Sequence, residues 1–289
     1  SDLIIWAEGG RDAAYLAAVK RFETIIAEIV AELPALREML SPLTTKPKGQ
    51  VAQRMHMACT PFASMGYLTR MAAVAGSVAD EVLSAMCQHA DISRAYVNNG
   101  GDIALYLGRG TSLSTAIKGH GGRDLGRIQI DASDQIGGIA TSGRPGRSHS
   151  LGIAESVTVL SPSAAAADVA ATLIANAVDL PGHPAITRRD HPRKTAWFEK
   201  HVVITKDDVA VFPLQVVGCK KDLAGRPEVV FGLHNPHTLR HVRQLASVFR
   251  ETPEFLGDIK TQFINADILQ KQVLQHRIKR IKTRRNCRK

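Results

Sequence analysis

Long hydrophobic runs are missing from this 289-residue chain. No apolar stretch approaches the roughly 18 residues needed to cross a bilayer, which excludes a spanning helix. Cysteine is scarce: Cys59, Cys87, Cys219 and Cys287 form no C-x-x-C pair. Neither a zinc cage nor a disulfide framework is therefore indicated, and reduced thiols are expected. His234, His237 and His241 cluster, the last two at the i,i+4 spacing that binds zinc. No H-E-x-x-H glutamate accompanies them, so a solvated helix face is the simpler reading. Acid is absent from residues 271–289, which carry nine Lys and Arg; of the net charge of +10, only about +1 belongs to the rest of the chain. The basic balance thus describes the tail. With no aromatic residue interleaved, that tail suits contact with nucleic-acid phosphates without sequence readout; a solvated tail is the plainer alternative.

What is present fits a soluble globular protein, at 44% hydrophobic and 22% charged residues. The length allows one large or two small domains. Leu3–Trp6 reads as a strand and Gly9-Gly10 as its turn. Asp12 is placed to cap a helix running to about Leu33, with Leu16, Val19, Ile26, Ile29 and Leu33 on one stripe and Pro34 as the stop. Residues 41–50 read as a loop. Residues 71–89 read as a helix whose first half is nearly all small side chains, a face that another backbone or a flat ligand can approach; Asp80 lies on it. Residues 108–126 read as a glycine-rich loop or hairpin, with His120 exposed. Residues 127–131, 139–142, 153–160, 202–205, 209–217 and 229–233 read as strands, with a basic turn at 144–149. Residues 254–283 read as a long, increasingly basic helix.

Three segments carry candidate chemistry. In Ala95–Leu107, two β-type runs flank Asn99-Gly100-Gly101-Asp102. Glycine there permits positive φ and close backbone approach to a ligand, and Asp102 sets a carboxylate at the start of the second run. The second segment is Thr141-Ser142-Gly143 at the end of a strand. In the third, Ser161-Pro162 opens a helix in which Asp168, Thr172 and Asn176 recur every four residues, a polar line on an alanine-rich surface. Mg²⁺ is bound by one or two carboxylates together with hydroxyls, water and substrate phosphate. Asp168 and Thr172 suit that need.

Together, and in this order, the three segments resemble the ApbE superfamily, which includes FAD:protein FMN transferases. They are most similar to a smaller ApbE-like group known only as an uncharacterised protein family, over about residues 2–187. The resemblance implies an α+β fold of T-fold-like architecture, antiparallel sheet packed against long helices. It implies one ApbE-like domain over 1–250, with 251–289 as a basic helical extension. It assigns Asn99, Gly100, Gly101, Asp102, Thr141, Ser142, Gly143 and Asp80 to binding a flavin or other nucleotide (FAD or FMN), and Asp168 and Thr172 to Mg²⁺. The exported lipoproteins of that superfamily carry a lipidated cysteine near the N-terminus; here the first cysteine is Cys59, which implies the cytoplasm and no membrane. Two positions depart from the pattern. Val74-Ala75-Gly76 stands where many relatives carry a lysine, and Ser148–Gly152 lacks the Asp-Pro of a histidine-led segment. Flavin-nucleotide transfer or hydrolysis and silent flavin- or pterin-type binding are the two functions implied.

Overall fold

The computed structural model describes residues 2–64, 66–118, 124–144 and 150–179, and four strands beyond them. His120, the histidine cluster, the 254–283 helix and the basic tail lie outside the described residues, as does most of the 144–149 turn. The chain is α+β. Strands β1 (Ile4–Glu8), β2 (Arg94–Asn99), β3 (Asp102–Leu107), β6 (Gly138–Ser142) and β7 (Val157–Ser161) form one sheet, in the order β1-β2-β3-β6-β7. Every neighbouring pair in it is antiparallel. Strands β4 (Ser112–Lys118) and β5 (Asp124–Asp131) form a hairpin, the second of the two readings of residues 108–126, and β5 begins at Asp124 instead of Arg127. Further on, β8 (Ile186–Asp190) pairs with β9 (Lys200–Ile204), and β10 (Leu214–Lys221) with β11 (Pro227–Leu233).

Side-chain alternation builds two layers on this sheet. Successive strand residues face opposite sides. Ala95, Val97 and Ala104 therefore enter one core with the helices, while Tyr96, Ile103 and Leu105 join Ile128 and Ile130 of the hairpin on the other face. Helices α1 (Arg11–Ala31), α2 (Leu33–Arg37), α3 (Gln50–Cys59), α4 (Val74–His89) and α5 (Ala164–Ala177) supply the helical layer. Buried Arg70 fastens the segment between α2 and α3, donating to the carbonyls of Ala35 and Thr45 (both 2.7 Å) and to His56 Nδ1 (3.2 Å).

Several sequence expectations are corrected. Helix α1 ends at Ala31, and Pro34 lies in the first turn of α2 instead of stopping α1. Its N-cap is Gly10, with Asp12 inside the first turn. The expected stripe faces the core only in part, through Ile29. Leu16, Val19 and Ile26 are more than half exposed, and Ala14, Ala17, Ala18 and Ile25 are buried instead. The reason is close packing: small residues let the α1 backbone approach its neighbours, so the larger side chains turn outward. Ser161 ends β7 instead of opening α5; the cap is Ser163, whose hydroxyl accepts from the Ala166 N–H at 3.2 Å. The strand expected at 153–160 is confined to Val157–Ser161.

Ala164, the first residue of α5, sits where three elements converge. A Cβ on Gly76 of α4 would lie 2.3 Å from the Ala164 carbonyl oxygen, and one on Gly138 of β6 would lie 2.1 Å from the Ala164 nitrogen. Neither contact is with a flexible side chain, so the backbone itself would have to move. Gly76→Ala is expected to cost about 3 kcal/mol, the upper end of ordinary overpacking, measured as a lower urea midpoint. Gly101→Ala meets open space at φ +115° and is expected to cost about 1 kcal/mol, from backbone conformation alone. Equal, small losses at both positions would contradict the close crossing.

Candidate active site

The β2–β3 turn is tied to the first turn of α4. Asn99 pairs with Asp102 across a two-residue loop in which Gly100 and Gly101 take φ values of 70° and 115°. The Gly101 N–H donates to Asn98 Oδ1 at 2.8 Å. The Asn99 side-chain amide donates to the Ala75 carbonyl at 3.1 Å. The glycines thus serve the turn, and Asn99 holds that turn against the helix.

Helix α4 begins after Ala73, which has no side-chain oxygen to cap it. Its first amides find a carboxylate from another helix: the Gly76 N–H donates to Asp168 Oδ2 at 3.0 Å, and the Ala75 N–H also bonds Asp168. The converse holds at α5. Asp80 of α4 accepts from the N–H groups of Ala164 (3.0 Å) and Ala165 (2.9 Å). Each helix therefore caps the other, and each aspartate lies four residues after the backbone that its opposite number holds. Amides in a first helical turn lack intrahelical partners and carry partial positive charge, so a carboxylate suits them doubly.

Burial works against this charge. The Asp168 carboxyl is pushed well above the usual carboxylate range, first by desolvation and then by the negative charge of Asp102; the two backbone donors pull it down only in part. Asp80 is raised by burial as well, against the pull of the Ala164 and Ala165 amides and of Arg54. Nearby Cys59 has its thiol pushed up to about 12 by burial and by Asp168, and donates to the Thr69 and Arg70 carbonyls. That makes it an inert structural thiol.

The Thr141–Gly143 segment lies at the same end of the sheet. Strand β6 pairs with β3 through Ile103↔Ile139 and Ala104↔Gly138, and its next residues run toward the Gly100-Gly101 turn. The Thr141 hydroxyl bonds Thr158 across to β7 at 2.9 Å. A Cβ on Gly143 would meet the Glu155 carbonyl at 2.3 Å, so this glycine serves packing. Thr172 is partly buried one turn along α5 from Asp168. Asn176, the third residue of that polar line, instead holds the segment before β7, accepting from the Leu151 N–H (2.8 Å) and the Ser150 hydroxyl (3.3 Å). Asn99–Asp102, Asp168 and Asp80 are thus gathered around the first turns of α4 and α5. The amide partners of the two aspartates were not foreseen; the uncapped Ala73 was the one available signal.

Among the described residues, no group of three or more His, Cys, Asp and Glu is disposed to hold a metal ion. The negative charges of Asp102 and Asp80 both act on Asp168. No described helix is long and apolar enough to cross a membrane.

Fold and site define an α+β protein in which two mutually capped helices set an acidic site at one end of an antiparallel sheet. Residues 1–196 match the family described as AbpE bacteria. A UPF0280 protein of Methanopyrus kandleri is 31% identical over 178 residues, covering 61% of this chain and 70% of the relative. The chain belongs to this UPF0280 family. UPF0280 proteins of Methanococcus maripaludis and Methanosarcina acetivorans are 38% and 36% identical over 111 residues; each match covers 37–38% of this chain and under half of the relative.

The raised carboxyls set a pH dependence. An acid whose folded value exceeds its unfolded one favours folding while protonated. The stability it supports is complete at low pH and declines as pH climbs from about 4 through the raised value. Asp168→Asn removes one such group. Between pH 4.5 and pH 8 the wild type is expected to lose more stability than the variant, measured by urea unfolding at both pH values. Parallel losses would mean that Asp168 titrates normally.

Proposed function

We propose that this chain binds a flavin or related nucleotide on an ApbE-like, T-fold-like scaffold, with Mg²⁺ held by Asp168 and Thr172. The observation that carries the reading is Asp168, whose ionisation is opposed by its burial and by the neighbouring charge of Asp102. A divalent cation removes that penalty, since opposite charge beside a carboxylate favours its ionised form. The donor set fits Mg²⁺, which keeps several waters and takes one or two carboxylates plus substrate phosphate. A carboxylate offers about four lone-pair sites, and the Ala75 and Gly76 amides engage only part of them.

In this reading Asp168 and Thr172 would hold the cation. Asp102 orients the ligand from the β2–β3 turn. The Gly100-Gly101 backbone and the Thr141–Gly143 strand end approach its phosphate or ring edges. Asp80 acts through the scaffold, by fixing the start of α5. When bound, Mg²⁺ neutralises charge on a phosphoryl oxygen during transfer or hydrolysis.

A second reading, silent binding without transfer, is favoured by one observation. Gly76 is pressed against Ala164, and the neighbouring amides are engaged by Asp168, so the segment that carries a lysine in transferases is here committed to helix capping. Incubation with FAD and Mg²⁺ separates the two: AMP release supports the enzyme, and FAD binding without AMP supports the silent binder.

Asp168→Asn is expected to weaken Mg²⁺-dependent FAD binding at least tenfold, which is about 1.4 kcal/mol. Stability without ligand at neutral pH should be unchanged or higher, because the variant no longer buries a charge. Titration of both proteins with FAD, with and without Mg²⁺, checks this. Four indistinguishable affinities would remove the metal from the proposal.

A further inference from the structure

The outward face of α1 carries apolar residues toward both ends, on either side of Glu23. Leu16 (56% exposed), Val19 (53%), Ile26 (56%) and Val30 (58%) recur at spacings that keep them on one side. That side is opposite Ala14, Ala18 and Ile25, which enter the core. Scattered exposed apolar residues are ordinary, but four on one helix face mark a surface that another molecule covers. Lys20 and Glu23 lie beside the middle of the stripe, both exposed and in no ion pair among the described residues.

We propose that the α1 stripe is the interface of a two-fold dimer of this chain. The charge pattern identifies a second copy as the occupant. Two antiparallel α1 helices related by an axis near residues 21–22 bring Lys20 of each copy beside Glu23 of the other, so the pair forms twice. Val19 of each copy then lies near Ile26 of the other, with Leu16 and Val30 toward the ends. A closed, self-complementary contact of this kind is the commonest form of soluble homo-oligomer. Of the other charges on α1, Arg21 is engaged by Glu28 and Glu81 on the side facing α4, Arg11 donates to the Ala7 carbonyl, and Asp12 lies in the first turn, away from the axis.

Sedimentation velocity on the full chain, over a concentration series, tests the interface. The wild type is expected to dimerise. Ile26→Lys, at an exposed position, is expected to give a monomer with an unchanged circular dichroism spectrum. Lys20→Glu and Glu23→Lys singly turn both pairs from attraction to repulsion and should each weaken the dimer about tenfold; the double exchange should restore wild-type affinity. A wild-type monomer at every concentration, a dimer untouched by Ile26→Lys, or a double exchange no better than either single variant would overturn the proposal.

Discussion

Two carboxylates, each gripping the first turn of the other's helix, hold this structure in register. A helix N-terminus leaves amides unpaired, and α4 starts after an alanine that offers them nothing. Asp168 supplies the missing acceptor from α5, and Asp80 returns the same service from α4. A single capping interaction is worth about 1 kcal/mol. Here the two are mutually dependent, because loosening one shifts the helix that carries the other. The close crossing follows: carboxylates this short reach across only if the backbones nearly touch, which is why glycine occupies 76 and 138 around Ala164.

The same arrangement creates the site. Bringing Asp168 to the start of α4 also brings it beside Asp102, since Asn99 pins the β2–β3 turn to the Ala75 carbonyl. The helix amides do not offset burial, so both carboxyls titrate above their usual range. The same turn and strand end lie beside Asp168, and the cation proposed above would stand among them.

Much of this was legible in the sequence, and the misses have physical causes. The β2–β3 turn was readable because Asn-Asn-Gly-Gly-Asp encodes its conformation locally. The α5 helix was readable from its composition, though its cap falls on Ser163 and not Ser161. Helix α1 was correctly expected but its buried face was not: periodicity locates a stripe without saying whether core or partner covers it, and in α1 Ala14, Ala18 and Ile25 enter the core while Leu16, Val19 and Ile26 face out. The capping partners were beyond local reading, since Asp168 and Gly76 stand 92 residues apart, and Asp80 and Ala164 stand 84 apart. Asp80 and Asp168 were singled out from a family pattern as ligand-binding and metal-binding residues. Their fit to each other's helix is visible only in three dimensions.

A double-mutant cycle on Asp80→Ala and Asp168→Ala, by urea unfolding of the ligand-free protein at neutral pH, tests that mutual dependence most directly. If each carboxylate is positioned by the helix that the other caps, the second substitution should cost clearly less once the first is present, with a coupling above about 0.5 kcal/mol. Losses that add within that margin would show two independent caps and would contradict a shared lock.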